Sequence, residues 1–198
     1  MNVKQNIIKE LFLSTDQRLF FCGDLHGSID LLEKSLNELG FISGQDVLIC
    51  VGDLVDRHPK SEETLRKFLF DKTGSFYSVR GNHDQMMVDN DWGLQLYNNG
   101  KWILDIDNDS RIVYGQLIDQ KLPYTLEVNH NGKVYGICHA EVPLEFESWD
   151  DLMEALDKVE SIILYPRNYF EDFKVTTVII VLSKQPSNQI KFLRIIDS

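Results

Sequence analysis

Cysteine is scarce in this 198-residue chain: Cys22, Cys50 and Cys138 are the full set. Three scattered thiols build neither a disulfide framework nor a Cys-x-x-Cys zinc site, and each reads as a small core residue on a buried strand. Proline, at five, and glycine, at twelve, are too few for a collagen-like or linker chain. Basic residues fall short of acidic ones, 20 against 31, for a formal charge of −11. That excludes a general nucleic-acid binder, which needs a basic face to displace counterions. A phosphorylated substrate stays admissible, because bound divalent cations invert the local field. Long apolar runs are also missing. The longest, Val47 to Val51 and Val178 to Leu182, fall far below the ~18 consecutive residues that cross a bilayer. The first fourteen residues are amphipathic, broken by Lys4, Lys9 and Glu10, and show no small-residue cleavage site. The expectation is a cytoplasmic protein with no membrane and no nucleic-acid partner; nothing here sets an oligomeric state.

What is present is core material. Some 43% of the chain is hydrophobic and 11% aromatic, which excludes intrinsic disorder and suffices for one domain spanning 1–198. Short apolar runs alternate with helical patterns. Arg18 to Cys22 reads as a buried strand, and Ser28 as the cap of a helix with Leu31, Leu32, Leu36 and Leu39 at helical spacing, ended by Gly40. Asp46 to Val51 is a second strand, Ser61 to Phe70 a helix, and Ser75 to Val79 a third strand. This rhythm implies parallel βαβ units with helices over the sheet. Residues 84–118 look mostly helical, with a loop at Asn98-Asn99-Gly100. Tyr124 to Val128 and Lys133 to Cys138 flank an Asn-Gly pair and form a hairpin, with His130 solvated in its turn. A helix from Trp149 to Val159 follows, then helix or loop from Tyr165 to Phe173, and strands near Thr177 to Leu182 and Gln189 to Ile196. Residues 174–198 carry four basic residues against one acid, unlike the acidic body.

Each of the first three strands runs into polar residues of one kind: Gly23-Asp24-Leu25-His26-Gly27, Gly52-Asp53-Leu54-Val55-Asp56-Arg57 and Arg80-Gly81-Asn82-His83-Asp84. His139 follows the second hairpin strand. From Asp24 to Asp53 and from Asp53 to Asn82 the spacing is 29, about one βα unit each. In parallel sheets the carboxyl ends of strands share one edge, where sites form. Singly, such an Asp is a turn former and such an Asn a helix cap; jointly, they converge. Carboxylate, imidazole and amide oxygen together suit Mn²⁺, Fe²⁺ or Zn²⁺, and two ions sharing one carboxylate suit in-line attack on phosphorus.

The three motifs and Ile137-Cys138-His139-Ala140 resemble the calcineurin-like metallophosphoesterase superfamily, above all the bacteriophage-lambda-type Ser/Thr protein phosphatases. The resemblance runs from about residue 18 to 173. It implies an α/β fold, a mixed β-sheet sandwich flanked by helices, with the C-terminal part truncated or altered and 174–198 an atypical tail. It implies two divalent ions, manganese foremost with iron or zinc as alternatives. Asp24 and His26 would hold the first, Asn82 and His139 the second, and Asp53 would bridge. His83 would protonate the leaving alkoxide, oriented by Asp56, while Arg57, Arg80 and Arg167 would grip phosphoryl oxygens. Solvent hydroxide, activated by the ions, would be the nucleophile, and a phosphorylated protein or peptide the partner, with phospho-Ser/Thr as target and phospho-Tyr as a further candidate.

Two departures from the family pattern matter. His58 stands where the family has glycine. The family also supplies a later histidine to the second ion, and no histidine follows His139 in this sequence. Impaired hydrolysis is therefore expected, and two alternatives stay open. One is a degenerate phosphatase-like module that binds phosphoproteins. The other is a dinucleoside polyphosphate hydrolase, which Asp56 disfavours because those relatives commonly lack an aspartate before the arginine.

Overall fold

The computed structural model describes residues 8–139 and 148–157. Two three-stranded sheets face each other. One is parallel throughout: β2 (Leu19–Cys22), β3 (Val47–Cys50) and β4 (Phe76–Ser78) in that spatial order. The other is mixed. β1 (Ile8–Phe12) runs parallel to β5 (Thr125–His130), which pairs antiparallel with β6 (Lys133–Cys138). The expected sandwich and its βαβ units are there, as is the hairpin. Two readings need correction. β1 lies in the stretch taken only as amphipathic; it is an edge strand whose Glu10 and Phe12 are exposed. His130 is not solvated: it closes β5 with 9% of its surface exposed.

The parallel sheet is covered on both faces, which is why its strands read as unbroken apolar runs. Cys22, Leu48 and Cys50 face the helices, packing with Leu32, Leu65, Met87 and Ile118. Phe21, Val47, Ile49 and Val51 face the second sheet and meet Leu126, Val128 and Ile137. In the mixed sheet the alternation is visible instead: Leu126 and Val128 are buried, while Glu127 and Asn129 between and beyond them are half-exposed.

The helical layer consists of α1 (Ile29–Glu38), α2 (Ser61–Leu69), α3 (Asn82–Asp89), α4 (Trp92–Tyr97) and α5 (Asn108–Lys121), with a 3₁₀ turn over Lys101–Asp105. The stretch read as mostly helical is cut by two caps. Asp91 accepts from the Leu94 amide and Asp107 from the Ser110 amide, each starting a new helix. Ser28 precedes α1 as expected, but its hydroxyl makes no capping bond. α1 buries Leu32 and Leu36, while Leu31 and Leu39 stay exposed. α6 (Trp149–Asp157) follows. The segments expected at 165–173, 177–182 and 189–196, the tail 174–198 and Arg167 all lie outside the described residues. No described helix is long and apolar enough to cross a membrane.

Candidate metal centre

The carboxyl ends of β2, β3 and β4 lie side by side because the three strands are parallel and in register: Cys22 pairs with Cys50, and Cys50 with Ser78. Each motif loop therefore leaves the sheet at the same edge. Backbone bonds then stitch the loops together. The amides of Leu25 and His26 both donate to the Asp53 carbonyl (3.1 and 2.8 Å), and Gly27 donates to Leu54 (2.9 Å). From α3, the buried Asp84 carboxylate accepts from the amides of Asp53, Leu54 and Gly81 at 2.9–3.0 Å. That clasp was not foreseen, although Asp84 closes the third motif. Burial, with Asp53 close by, pushes the Asp84 carboxyl up to about 7. Close backbone approach makes two glycines necessary. A Cβ on Gly81 would lie 2.1 Å from Asp53 Oδ1, and one on Gly52 would lie 2.7 Å from the Gly81 nitrogen.

Asp53 sits at the middle of the donors. Its Oδ1 accepts from the His83 amide at 3.0 Å. Its Oδ2 is 3.6 Å from His26 Nε2 and equally 3.6 Å from His139 Nε2. Both imidazoles have their other nitrogen committed to backbone: His26 Nδ1 lies 2.9 Å from the Val55 carbonyl, and His139 Nδ1 lies 2.8 Å from the Val51 carbonyl. A carbonyl can only accept, so Nδ1 carries the proton and each Nε2 presents a lone pair toward the carboxylate. Asn82 Oδ1 stands 3.1 Å from His139 Nε2. Asp24 Oδ2 is 4.0 Å from His26 Nε2, and its Oδ1 is 4.0 Å from His139 Nδ1.

Acceptors gathered this closely call for positive charge between them. His26 Nε2 is buried and makes no hydrogen bond, and burial lowers the His26 pKa despite Asp53, so this ring is a neutral donor atom. Burial opposes charging His139, but Asp53 and Asp24 outweigh it and raise its pKa. Burial alone would raise the Asp53 carboxyl, but His139, His83 and His26 hold it below the usual carboxylate range. Among the described residues, two groups of donor atoms lie close enough together to hold an ion: His26, Asp53 and His83, and Asp24, Asp53 and His139. Asp53 belongs to both. The residues present fit divalent ions, and the five residues expected as ligands are all at this one place.

His83 stands beside the cluster, its ring edge-on to that of His26 with centroids 4.7 Å apart. Its Nδ1 lies 2.7 Å from Asp56 Oδ2. Burial disfavours the imidazolium, but the Asp56 bond and the charge of Asp53 prevail and raise the His83 pKa. Asp56 has no exposed surface. Its other oxygen accepts from Trp102 Nε1 (2.7 Å) and Gln95 Nε2 (3.1 Å). Neither partner was anticipated; the only sequence signal near them is the Asn98-Asn99-Gly100 loop between the two.

The arginines part company. Arg57 is exposed, and its positive charge reaches both His26 and His83. Its amide is tied to the Asn99 carbonyl at 3.1 Å, and His58 after it is exposed. Arg80 corrects an expectation. It is wholly buried, with its guanidinium turned to the end of α5. It donates to the carbonyls of Leu122, Ile118 and Asp119, to Gln85 Oε1 and to the Tyr124 hydroxyl, and it pairs with the Asp119 carboxylate. Arg80 braces α3 against α5 and has no donor left for a phosphate.

Two packed sheets thus gather carboxylates, imidazoles and an amide around one aspartate at the strand ends. The chain belongs to the calcineurin-like phosphoesterase family, whose description matches residues 17–194. It is 33% identical over 133 residues to serine/threonine-protein phosphatase 2 of Escherichia coli (strain K12), covering 64% of this chain and 60% of that protein. It is 31% identical over 169 residues to the symmetrical bis(5′-nucleosyl)-tetraphosphatase of Cellvibrio japonicus, covering 83% of this chain and 57% of that protein. The chain thus spans about 60% of the length of such relatives. A serine/threonine phosphatase from Saccharomyces cerevisiae shares the fold, with a TM-score of 0.52 at 21% identity over 83% of this chain and 50% of that one.

Proposed function

We propose that this chain is a metal-dependent phosphoprotein phosphatase of weakened activity that hydrolyses phospho-Ser/Thr monoesters, with phospho-Tyr a further candidate, using two divalent ions, manganese foremost. The observation that carries the reading is the pairing of His83 with Asp56 beside the Asp53-centred donor cluster. A cluster of donors alone suits storage or structure. A cluster with a carboxylate-oriented imidazole beside it suits a reaction that must deliver a proton.

Asp24, His26, Asp53, Asn82 and His139 would hold the ions. When bound, they supply positive charge to the phosphoryl oxygens and lower the pKa of an attacking water. The chain's own residues do the rest. Arg57 binds equatorial phosphoryl oxygens, which a planar guanidinium matches two at a time. As the water oxygen bonds to phosphorus, the ester P–O bond breaks. His83, its Nδ1–H held by Asp56, gives the proton on Nε2 to the departing serine or threonine oxygen. Alcohol and inorganic phosphate leave, and His83 regains its proton from solvent. Arg167 is a further candidate for phosphate binding.

A dinucleoside polyphosphate is the second reading, supported by the likeness to the Cellvibrio tetraphosphatase over most of this chain. The presence of Asp56 favours the monoester. Purified protein with excess Mn²⁺ should release phosphate from a phosphoserine peptide faster than an Asp53→Asn control, and faster than it cleaves diadenosine tetraphosphate. Elemental analysis should find close to two ions per chain. A rate equal to the control on every substrate, with one ion or none bound, would leave only a phosphoprotein-binding module.

A further inference from the structure

The residues from Gln95 to Trp102 form a bracket around Asp56. Trp102 Nε1 and Gln95 Nε2 both donate to Asp56 Oδ1, at 2.7 and 3.1 Å. Trp102 is 4% exposed and Gln95 not at all. Gly100, between them, lets the loop close down: a Cβ there would lie 2.6 Å from Asp56 Oδ1 and 2.5 Å from Gln95 Cγ. The Gly100 amide donates to the Gln95 carbonyl at 2.8 Å, locking the loop, and the Asn99 carbonyl accepts from the Arg57 amide at 3.1 Å. One short segment therefore holds both Asp56 and the backbone of Arg57.

We infer that Trp102 and Gln95 are positioning residues for proton delivery, acting on the leaving group through Asp56 and His83. The inference rests on the reading of His83 as proton donor. A carboxylate with no exposed surface must have its lone pairs satisfied by the protein. Two N–H donors satisfy Oδ1, which leaves Oδ2 aimed at His83 Nδ1. Remove them and Asp56 is free to rotate or to draw in water, so the His83 ring loses its fixed tautomer and direction. The indole makes the shorter bond and should contribute more. Neither side chain lies on the donor cluster around Asp53, so ion binding is not expected to depend on them.

The test separates proton delivery from general damage through the leaving group. A serine alkoxide needs a proton to depart, whereas 4-nitrophenolate does not. Trp102→Phe keeps the buried ring and deletes the donor; Gln95→Met keeps the volume and deletes the other. Both would be made in the full chain and assayed with Mn²⁺ on a phosphoserine peptide and on 4-nitrophenyl phosphate. Trp102→Phe should lower kcat on the peptide by ~10- to 100-fold, within the range general acid catalysis supplies, with KM nearly constant. Its loss on the nitrophenyl ester should be about tenfold smaller. In the metal-free protein, proton NMR should show the hydrogen-bonded His83 Nδ1–H in the parent and its broadening in the variant. Equal losses on both substrates, a change confined to KM, or an unaltered His83 signal would overturn the inference. If Trp102→Phe does not fold, Gln95→Met decides by the same three readouts. A parent inactive on both substrates would instead bring down the phosphatase reading, and this inference with it.

Discussion

Among the glycines of the donor loops, the space around Gly81, Gly52 and Gly23 gives a graded prediction for Gly→Ala. At Gly81 the new Cβ would lie 2.1 Å from Asp53 Oδ1 and 2.3 Å from the Asp53 backbone nitrogen. The second contact decides the matter. A side chain can swing aside, but the Asp53 nitrogen is pinned by its bond to Asp84 at 3.0 Å. The gap is more than an ångström inside ordinary contact, so either β3's exit loop or the start of α3 must move. Overpacking of this kind costs ~1–3 kcal/mol of stability. The shift falls on the carboxylate that stands 3.6 Å from both His26 Nε2 and His139 Nε2, so affinity for Mn²⁺ should fall by more than the ~10–100-fold typical of disturbed outer contacts. Gly52→Ala should be worse. Its φ of +105° disfavours any side chain, and its Cβ would meet Gly81 nitrogen at 2.7 Å and His139 Nδ1 at 2.9 Å. Gly23→Ala is the control: nothing lies within 4 Å of its Cβ, although Asp24 is the next residue. It should be neutral or slightly stabilising, by up to ~1 kcal/mol. Urea denaturation of the metal-free proteins and calorimetric Mn²⁺ titration would measure all three. If Gly81→Ala bound Mn²⁺ like the parent, or if Gly23→Ala lost as much as Gly81→Ala, the placement of Asp53 against α3 would be wrong.

The two arginines should fail differently. Arg57→Ala should reduce phosphate release at least ~10-fold while leaving the unfolding midpoint almost unchanged, as expected of an exposed side chain. Arg80→Met should lower stability by roughly 3 kcal/mol, because carbonyls at the end of α5 and the Asp119 carboxylate lose their partner; a stable, inactive Arg80→Met would contradict this division. Stability of the metal-free protein should also depend on pH. The raised pKa values of His83 and His139 stabilise the fold below the unfolded histidine value and lose that effect as pH rises through their folded values. Asp84, raised to about 7 by burial and Asp53, acts in the same direction from its unfolded value of 3.8 upward. His26, lowered by burial, opposes them. The unfolding temperature in a chelator should therefore fall from about pH 6 to about pH 8. Saturating Mn²⁺ should flatten that slope, since cations replace the protons; a temperature that climbs steadily over the same range would refute the assignment.

Much of this was legible in the sequence, and the reasons are physical. β2 and β3 are buried on both faces, so Phe21-Cys22 and Val47 to Val51 could hardly read as anything else. The spacing of Asp24, Asp53 and Asn82 encodes one βα unit, and a parallel sheet turns equal spacing into a shared edge. β1 was missed because it is an edge strand with a charged residue on each face, Glu10 exposed and Lys9 half-buried over the Tyr77 ring, and it shows too few apolar positions. Arg80 was misplaced for a different reason. Nothing in Arg80-Gly81-Asn82-His83-Asp84 says which way a long side chain will turn, and here the bare carbonyls at the end of α5 take it. Gln95 and Trp102 were invisible because their role depends on contact with Asp56 across 39 and 46 residues of chain.

The motif loops also carry a cost that their residues alone do not reveal. His26, Asp53, Asp56 and Arg57 all adopt positive φ, between 44° and 73°. Each such non-glycine residue costs ~1 kcal/mol or more. Glycine would relieve the strain at any of them, but no glycine supplies a carboxylate, an imidazole or a guanidinium. The strain is sustained by the backbone bonds between the loops, by the Asp84 clasp and by the bracket from Gln95 to Trp102. Those same contacts fix where the donor atoms stand. Left-handed backbone turns the Asp53 carboxylate back over the sheet edge, between two Nε2 atoms at equal distance, instead of letting it run on into solvent. Strain and gathered negative charge both weigh against the fold, and cations held among these acceptors would offset the charge.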